Sequence, residues 1–234
     1  MEDKDNALIK LEVKTTDRGK ARIIWSGIPK RLLDQGLMVV LHANNNSDSK
    51  SELDRSSVRG QASGSYNTSV PLNPGLQVWL HKEVKSWWNY LGFGSPTGEE
   101  IWRGSEFHDA NWEIPVDING HDASLQLFVK DGKACARLYV KKSFTAWKKT
   151  FHNSWVGFYS SDGKDTQEYN TYQWQWAVHF SEEKGSHQAD IPGYDIYVYK
   201  SSMTMSPGVQ VRFMMEKSGG EKVRTPPWER LVQW

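Results

Sequence analysis

An internal repeat constrains the folding of this sequence more than any other feature. The strand-like run Leu8-Ile-Lys-Leu-Glu-Val13 precedes Gly19-Lys20-Ala21, and Leu125-Gln-Leu-Phe-Val129 precedes Gly132-Lys133-Ala134. Further on, Leu37-Met-Val-Val-Leu41 opens onto the polar stretch Asn46–Glu52, while Trp155-Val-Gly-Phe-Tyr159 opens onto Ser161–Glu168. Pro74-Gly-Leu-Gln-Val-Trp-Leu-His-Lys82 reads onto Pro192-Gly-Tyr-Asp-Ile-Tyr-Val-Tyr-Lys200, and the steps from 37 to 155 and from 74 to 192 are both 118 residues. Gly98-Glu-Glu-Ile101 and Gly220-Glu-Lys-Val223 extend the match with some slippage. A register shared over that distance marks a duplication.

Each half breaks into short apolar runs rich in β-branched and aromatic residues, separated by Gly, Pro, Asn, Asp and Ser. Tyr172, Trp174 and Trp176 alternate with Gln173 and Gln175, the period of a strand. The pattern predicts an all-β chain of two tandem, internally duplicated antiparallel β-sandwiches of immunoglobulin-like type, with one short helix or turn each. The first would span 1–108, a connector 109–119 and the second 120–234; a single merged sandwich or barrel is the alternative. The short helices are expected in Ser26–Gly36, with Pro29 early and Gly36 at the end, and in Phe144–His152. In the latter, Phe144, Trp147 and Phe151 share one face beside Lys148 and Lys149, which suits a cap on a sandwich end or a helix lying on a membrane surface.

With 29 basic and 28 acidic residues and a net charge of +1, the chain lacks the electrostatic footprint of a nucleic-acid binder. Its one cysteine, Cys135, lies in the apolar run Ala134–Val140 and reads as a buried small hydrophobe. Met-Glu-Asp-Lys-Asp-Asn at the start has no apolar signal core, and no run reaches the ~18 apolar residues of a membrane helix. The expectation is a soluble protein, cytoplasmic as written or secreted without a visible signal peptide.

No arrangement of residues announces catalysis. There is no Gly-x-Ser-x-Gly elbow, the glycines around Gly60–Gly64 and Gly92–Gly94 open no helix, and the pairs Glu99/Glu100 and Glu182/Glu183 would point to opposite faces of a strand. His108, Asp109, Asp117, His121 and Asp122 gather in the connector without zinc or EF-hand spacing, and the loops Asp48–Glu52 and Asp162–Glu168 read as turns. The expectation is a non-enzymatic protein without metal or cofactor.

In the second half, Trp155-Val-Gly-Phe-Tyr159, then Tyr169, Tyr172 and Trp174, then Gly193-Tyr-Asp-Ile-Tyr-Val-Tyr199 resemble the pattern of SKICH-type domains over about residues 123–216. The resemblance implies an immunoglobulin-like sandwich and an association with membrane targeting and protein binding. The first repeat departs from it, with Leu37 read at the place of Trp155 and Ser56 at that of Trp174.

The chain's unusual resource is aromatic: 12 Trp, 9 Tyr and 8 Phe in a sequence whose mean hydropathy is only −0.67. Trp25, Trp79 and Trp155 suit the cores. Trp87, Trp88, Asn89, Tyr90 and Phe93, by contrast, stand among Ser, Gly and Pro in Lys85–Gly98, and an exposed apolar tip there would call for a cover. With Trp174 and Trp176 these are the candidate ligand-binding residues. Three functions follow. A lectin-like protein would bind carbohydrate on its rings beside amides such as Asn89, Gln173 and Gln175; a membrane-active, toxin-like protein would insert the loop among lipid headgroups, with Lys82, Lys85, Lys148 and Lys149 alongside; a SKICH-like adaptor would bind a protein partner or a second copy of itself. Lectin-like recognition is the leading expectation.

Overall fold

The computed structural model describes residues 8–43, 52–84, 97–108, 115–170, 172–183, 192–216 and 220–229. The chain divides into two compact units, Met1–Thr16 with Lys20–His108, and Asp17–Gly19 with Asp109–Trp234. Both are antiparallel β-sandwiches.

The first unit holds strands β1 (Lys10–Thr15), β2 (Lys20–Ser26), β3 (Leu37–Ala43), β4 (Glu52–Ser57), β5 (Gly64–Pro71), β6 (Leu76–Glu83) and β7 (Thr97–Arg103). They form a sheet ordered β1-β2-β5 and a sheet ordered β4-β3-β6-β7. Leu11, Val13, Ala21, Ile23 and Trp25 alternate with more exposed neighbours along β1 and β2, so one face of that sheet is buried. The short helix α1 (Lys30–Leu33) follows Pro29 as expected and buries Leu32.

The second unit adds β8 (Val116–Asp117), β9 (Ala123–Lys130), β10 (Lys133–Lys141), β11 (Ser154–Tyr159), β12 (Trp174–Trp176), β13 (Ser181–Glu182), β14 (Tyr194–Thr204), β15 (Gln210–Met215) and β16 (Gly220–Arg224). Its sheets run β13-β14-β10-β9-β8 and β12-β11-β15-β16. Stripped of the two-residue edge strands β8 and β13, this is the order of the first unit. Helix α2 (Trp147–Thr150) lays its rings inward: Phe151 meets Phe213 at 4.9 Å and Phe144 at 5.6 Å, and Trp147 meets Tyr197 at 4.6 Å. The apolar face of that turn is covered by its own sandwich, and Lys148 and Lys149 remain outside.

The duplication extends to individual hydrogen bonds. In β6 Gln77 donates Nε2 to the Gly104 carbonyl at 2.7 Å and accepts from Trp79 Nε1 at 2.8 Å; in β15 Gln210 donates to the Thr225 carbonyl at 2.7 Å and accepts from Arg212 Nε at 3.0 Å. Thr68 Oγ1 donates to the Ala21 carbonyl and Ser201 Oγ to the Ala134 carbonyl, both at 2.8 Å. Gly75 and Gly208, with φ 89° and 91°, turn the chain in the left-handed region that favours glycine, and each donates its N–H to the next strand's continuation, at Phe107 and Trp228.

These bonds correct one alignment. Pro74-Gly-Leu-Gln-Val-Trp-Leu80 corresponds to Pro207-Gly-Val-Gln-Val-Arg-Phe213, a step of 133 (207 − 74), and not to Pro192–Lys200, which enters β14. A Pro-Gly turn followed by apolar alternation starts both β14 and β15, so the pattern fits either; only the partner of each strand separates them. Likewise Leu37 pairs with Lys82 and Ser154 with Met215, which sets Leu37 against Ser154 and Met38 against Trp155.

Candidate functional site

The alternation of β11 sends Val156 and Phe158, both fully buried, into the core of the second sandwich, and turns Trp155, Gly157 and Tyr159 to the other face. Register then assembles an aromatic group. Trp155 stands opposite Trp176 and Gly157 opposite Trp174 across β11 and β12, while Trp155 stands opposite Met214 across β11 and β15. Directly opposed residues share a face.

Tyr169 joins them from the segment between β11 and β12. The ring centroids of Trp155 and Tyr169 are 5.1 Å apart at 63°, those of Trp155 and Trp174 6.1 Å at 72°, and those of Trp174 and Trp176 5.2 Å at 89°. All four side chains are half-buried. They line an open cleft of about 440 Å³, completed by Met214, Gly220 and two polar residues, Gln167 and Glu216. Among the described residues no side chain engages Gln167 or Glu216 in a hydrogen bond or ion pair, and both are exposed.

Buried polar contacts hold the wall that carries Gln167 and Tyr169. Arg212, fully buried, donates Nη2 to the carbonyls of Asp162 at 3.2 Å and Lys164 at 2.7 Å. Tyr159 donates its hydroxyl to the Thr166 carbonyl at 2.7 Å, and the Arg212 guanidinium lies 4.0 Å from the Tyr159 ring. Burial pushes the Tyr159 hydroxyl up to about 12, so it stays a donor at neutral pH. The Asn170 N–H bonds the Phe158 carbonyl at 3.0 Å and returns the chain to the sheet.

At Gly157 a side chain would crowd the wall of the cleft. A Cβ there would lie 2.7 Å from Cζ3 of Trp155 and 3.2 Å from Cε2 of Tyr159. Gly157→Ala is expected to displace the Trp155 ring, costing about 1–3 kcal/mol of stability by overpacking and narrowing the cleft. A thermal melt together with a binding titration checks both effects; an unchanged titration would mean that the ring moves without consequence.

Of the residues expected to bind ligand, Trp174 and Trp176 face the cleft, whereas Trp87, Trp88, Asn89, Tyr90 and Phe93 lie outside the described residues. Trp155, expected in the core beside Trp25 and Trp79, lines the cleft instead, because its place on β11 is on the outer face. Gln173 and Gln175 are taken up locally: Gln173 Nε2 donates to Ser202 Oγ at 2.7 Å, and Gln175 Oε1 accepts the Trp176 N–H at 2.9 Å. The amide that does reach the cleft is Gln167. Pattern reading passed over it, along with Met214 and Glu216, because nothing in the local sequence says which loop folds over which strand.

Among its described residues the first sandwich shows no matching group at the equivalent positions. At the positions of Trp176 and Trp174 it has Ser57, opposite Met38, and Arg55, opposite Val40. The other clusters are engaged elsewhere. Asp117 accepts the Ser124 hydroxyl and Asp122 pairs with Lys141, both at 2.7 Å, and His121 stacks on Phe144 at 6.1 Å. Asp109 lies outside the described residues, among which no group of three or more His, Cys, Asp or Glu is placed to hold a metal ion. Cys135 is fully buried, and burial pushes its thiol up to about 12, which leaves it unreactive at neutral pH. Among the described residues no helix is long and apolar enough to cross a membrane.

No protein-family model matches the chain, and no curated protein matches it. Fold and cleft define a class on their own: an all-β, sandwich-type protein with an aromatic cleft on the outer face of the second sandwich.

Proposed function

We propose that this chain is a non-enzymatic recognition protein of lectin-like type, which binds carbohydrate in the cleft of Trp155, Tyr169, Trp174 and Trp176. The observation that carries the reading is the half-buried ring cluster opening beside an amide, Gln167, and a carboxylate, Glu216, that no side chain among the described residues engages. A sugar ring has an apolar face of C–H groups and a rim of hydroxyls; indole faces cover the first, and an amide and a carboxylate bond the second. A volume of about 440 Å³ is in the ordinary range of small-ligand sites.

Trp174→Ala is expected to lower affinity about tenfold or more, since an aromatic contact contributes ~0.5–1.5 kcal/mol beyond the area it buries. The fold should survive, because Trp174 is only half-buried. The test is a glycan array probed with wild type and variant, with liposomes of neutral and anionic composition in the same buffer. Selective glycan binding that Trp174→Ala removes supports the proposal. An array silent for the wild type, or binding that the variant leaves untouched, overturns it; liposome binding in its place would favour the membrane-active reading.

A further inference from the structure

We infer that the cleft selects sugars bearing a positive charge, amino sugars with a free ammonium group, over their neutral and acidic counterparts. The inference rests on the carbohydrate reading and adds to it the sign of the ligand. Among the described residues lining the cleft, Glu216 is the one charged side chain; the others are rings, an amide, a thioether and a glycine. Five other carboxylates of this sandwich stand in ion pairs, Asp122 with Lys141, Asp131 with Lys200, Glu168 with Lys164, Glu183 with Arg137 and Glu221 with Arg224, and none of the five lines the cleft. Glu216 has no ion-pair partner among the described residues, so its charge is available to a ligand.

The rings add to the same preference. Trp174 meets Trp155 at 72° and Trp176 at 89°, so the three indoles cannot all lie flat against one sugar. One face takes the pyranose; the others present their electron-rich faces to whatever projects from it, and those faces attract cations. An ammonium on the sugar would therefore meet a carboxylate and π-faces together. On its other side Glu216 borders a smaller hollow of about 120 Å³ lined by Lys149, His152 and Asn153. The Lys149 ammonium there favours the opposite sign, so the test must include an acidic sugar.

The experiment is calorimetric titration of three β-1,4-linked oligomers that differ in one substituent: glucose, glucosamine with its amine protonated, and glucuronic acid. Glucosamine oligomers are expected to bind about tenfold tighter than glucose oligomers, the gain when the carboxylate meets an ammonium in place of a neutral hydroxyl. The preference should shrink as salt is raised. Glu216→Gln keeps the side chain's shape and removes its charge; it should abolish the glucosamine preference, so that the glucosamine and glucose affinities come together. Equal affinities in the wild type, a preference for glucuronic acid, or a glucosamine preference that survives Glu216→Gln each overturn the inference while the carbohydrate reading stands. Failure of all three to bind refutes both, and binding of choline in their absence would mark the cleft as a cation cage rather than a sugar site.

Discussion

Arg212→Ala is expected to lower the unfolding free energy by about 3–5 kcal/mol, the usual loss when one partner of a buried charge network is removed. The guanidinium is fully buried and holds the Gln210 side-chain oxygen at 3.0 Å, the Lys164 carbonyl at 2.7 Å and the Asp162 carbonyl at 3.2 Å, with Glu221 3.5 Å away. Truncation leaves those acceptors without their donor and opens a cavity beside Tyr159. Because the two carbonyls belong to the segment that carries Gln167 and Tyr169, ligand affinity should fall along with stability. Arg212→Lys should recover little, since a single ammonium cannot span acceptors set in different directions. Urea unfolding of the variants reads the effect directly, and a loss below about 1 kcal/mol would show that this network is not what holds the wall.

Acid is expected to weaken the first sandwich, through His42. That side chain is 3% exposed, stacked 4.2 Å from Trp79, with the His81 ring centroid 5.9 Å away; Arg103 lies over the Trp79 ring at 3.7 Å, and Glu52, Arg103 and Glu100 act on His42 more weakly than His81 does. Burial first, and then the neighbouring His81, lower its pKa from 6.5 to about 4. The unfolded chain would take up the proton near 6.5 and the folded chain near 4, so between those values the unfolded state binds more protons. Stability is therefore flat above about 6.5 and falls as pH drops through the window to about 4. At ~1.4 kcal/mol per pKa unit the full loss is about 3 kcal/mol. His42→Phe, which keeps a ring against Trp79, should flatten that part of the profile. Denaturant midpoints at several pH values, for wild type and variant, decide it; parallel curves would place the acid sensitivity elsewhere.

The sandwich class was legible because burial on one face writes itself into sequence as alternation, clearest along β1 and β2. Trp174 and Trp176 were legible as sharing a face from the strand period alone. What pattern could not supply was which face. Trp155 stands in an apolar run that reads as core, and only the pairing of β11 with β12 and β15 turns it outward. The repeat was legible as a duplication, yet its step slipped in the later strands, because two Pro-Gly turns precede two similar strands and the second unit has a longer path from β12 to β14. Gln167 and Glu216 had no local signature at all: one arrives on a segment pinned by Arg212, and the other stands just past the end of β15.

The paired glutamines Gln77 and Gln210 have a consequence for how such a module can change. Each glutamine ties its own strand to the next through its Nε2 and leaves its oxygen to be met by the residue two places on. Trp79 and Arg212 both meet it, one with an indole N–H and the other with a guanidinium N–H. The position behaves as a socket with a single requirement, a planar side chain that offers an N–H, and it is indifferent to charge. A module of this kind can thus exchange an aromatic plate for a cationic anchor without rebuilding its frame, and two further exchanges on the edge strand, Trp176 for Ser57 and Trp174 for Arg55, separate an aromatic surface from a polar one.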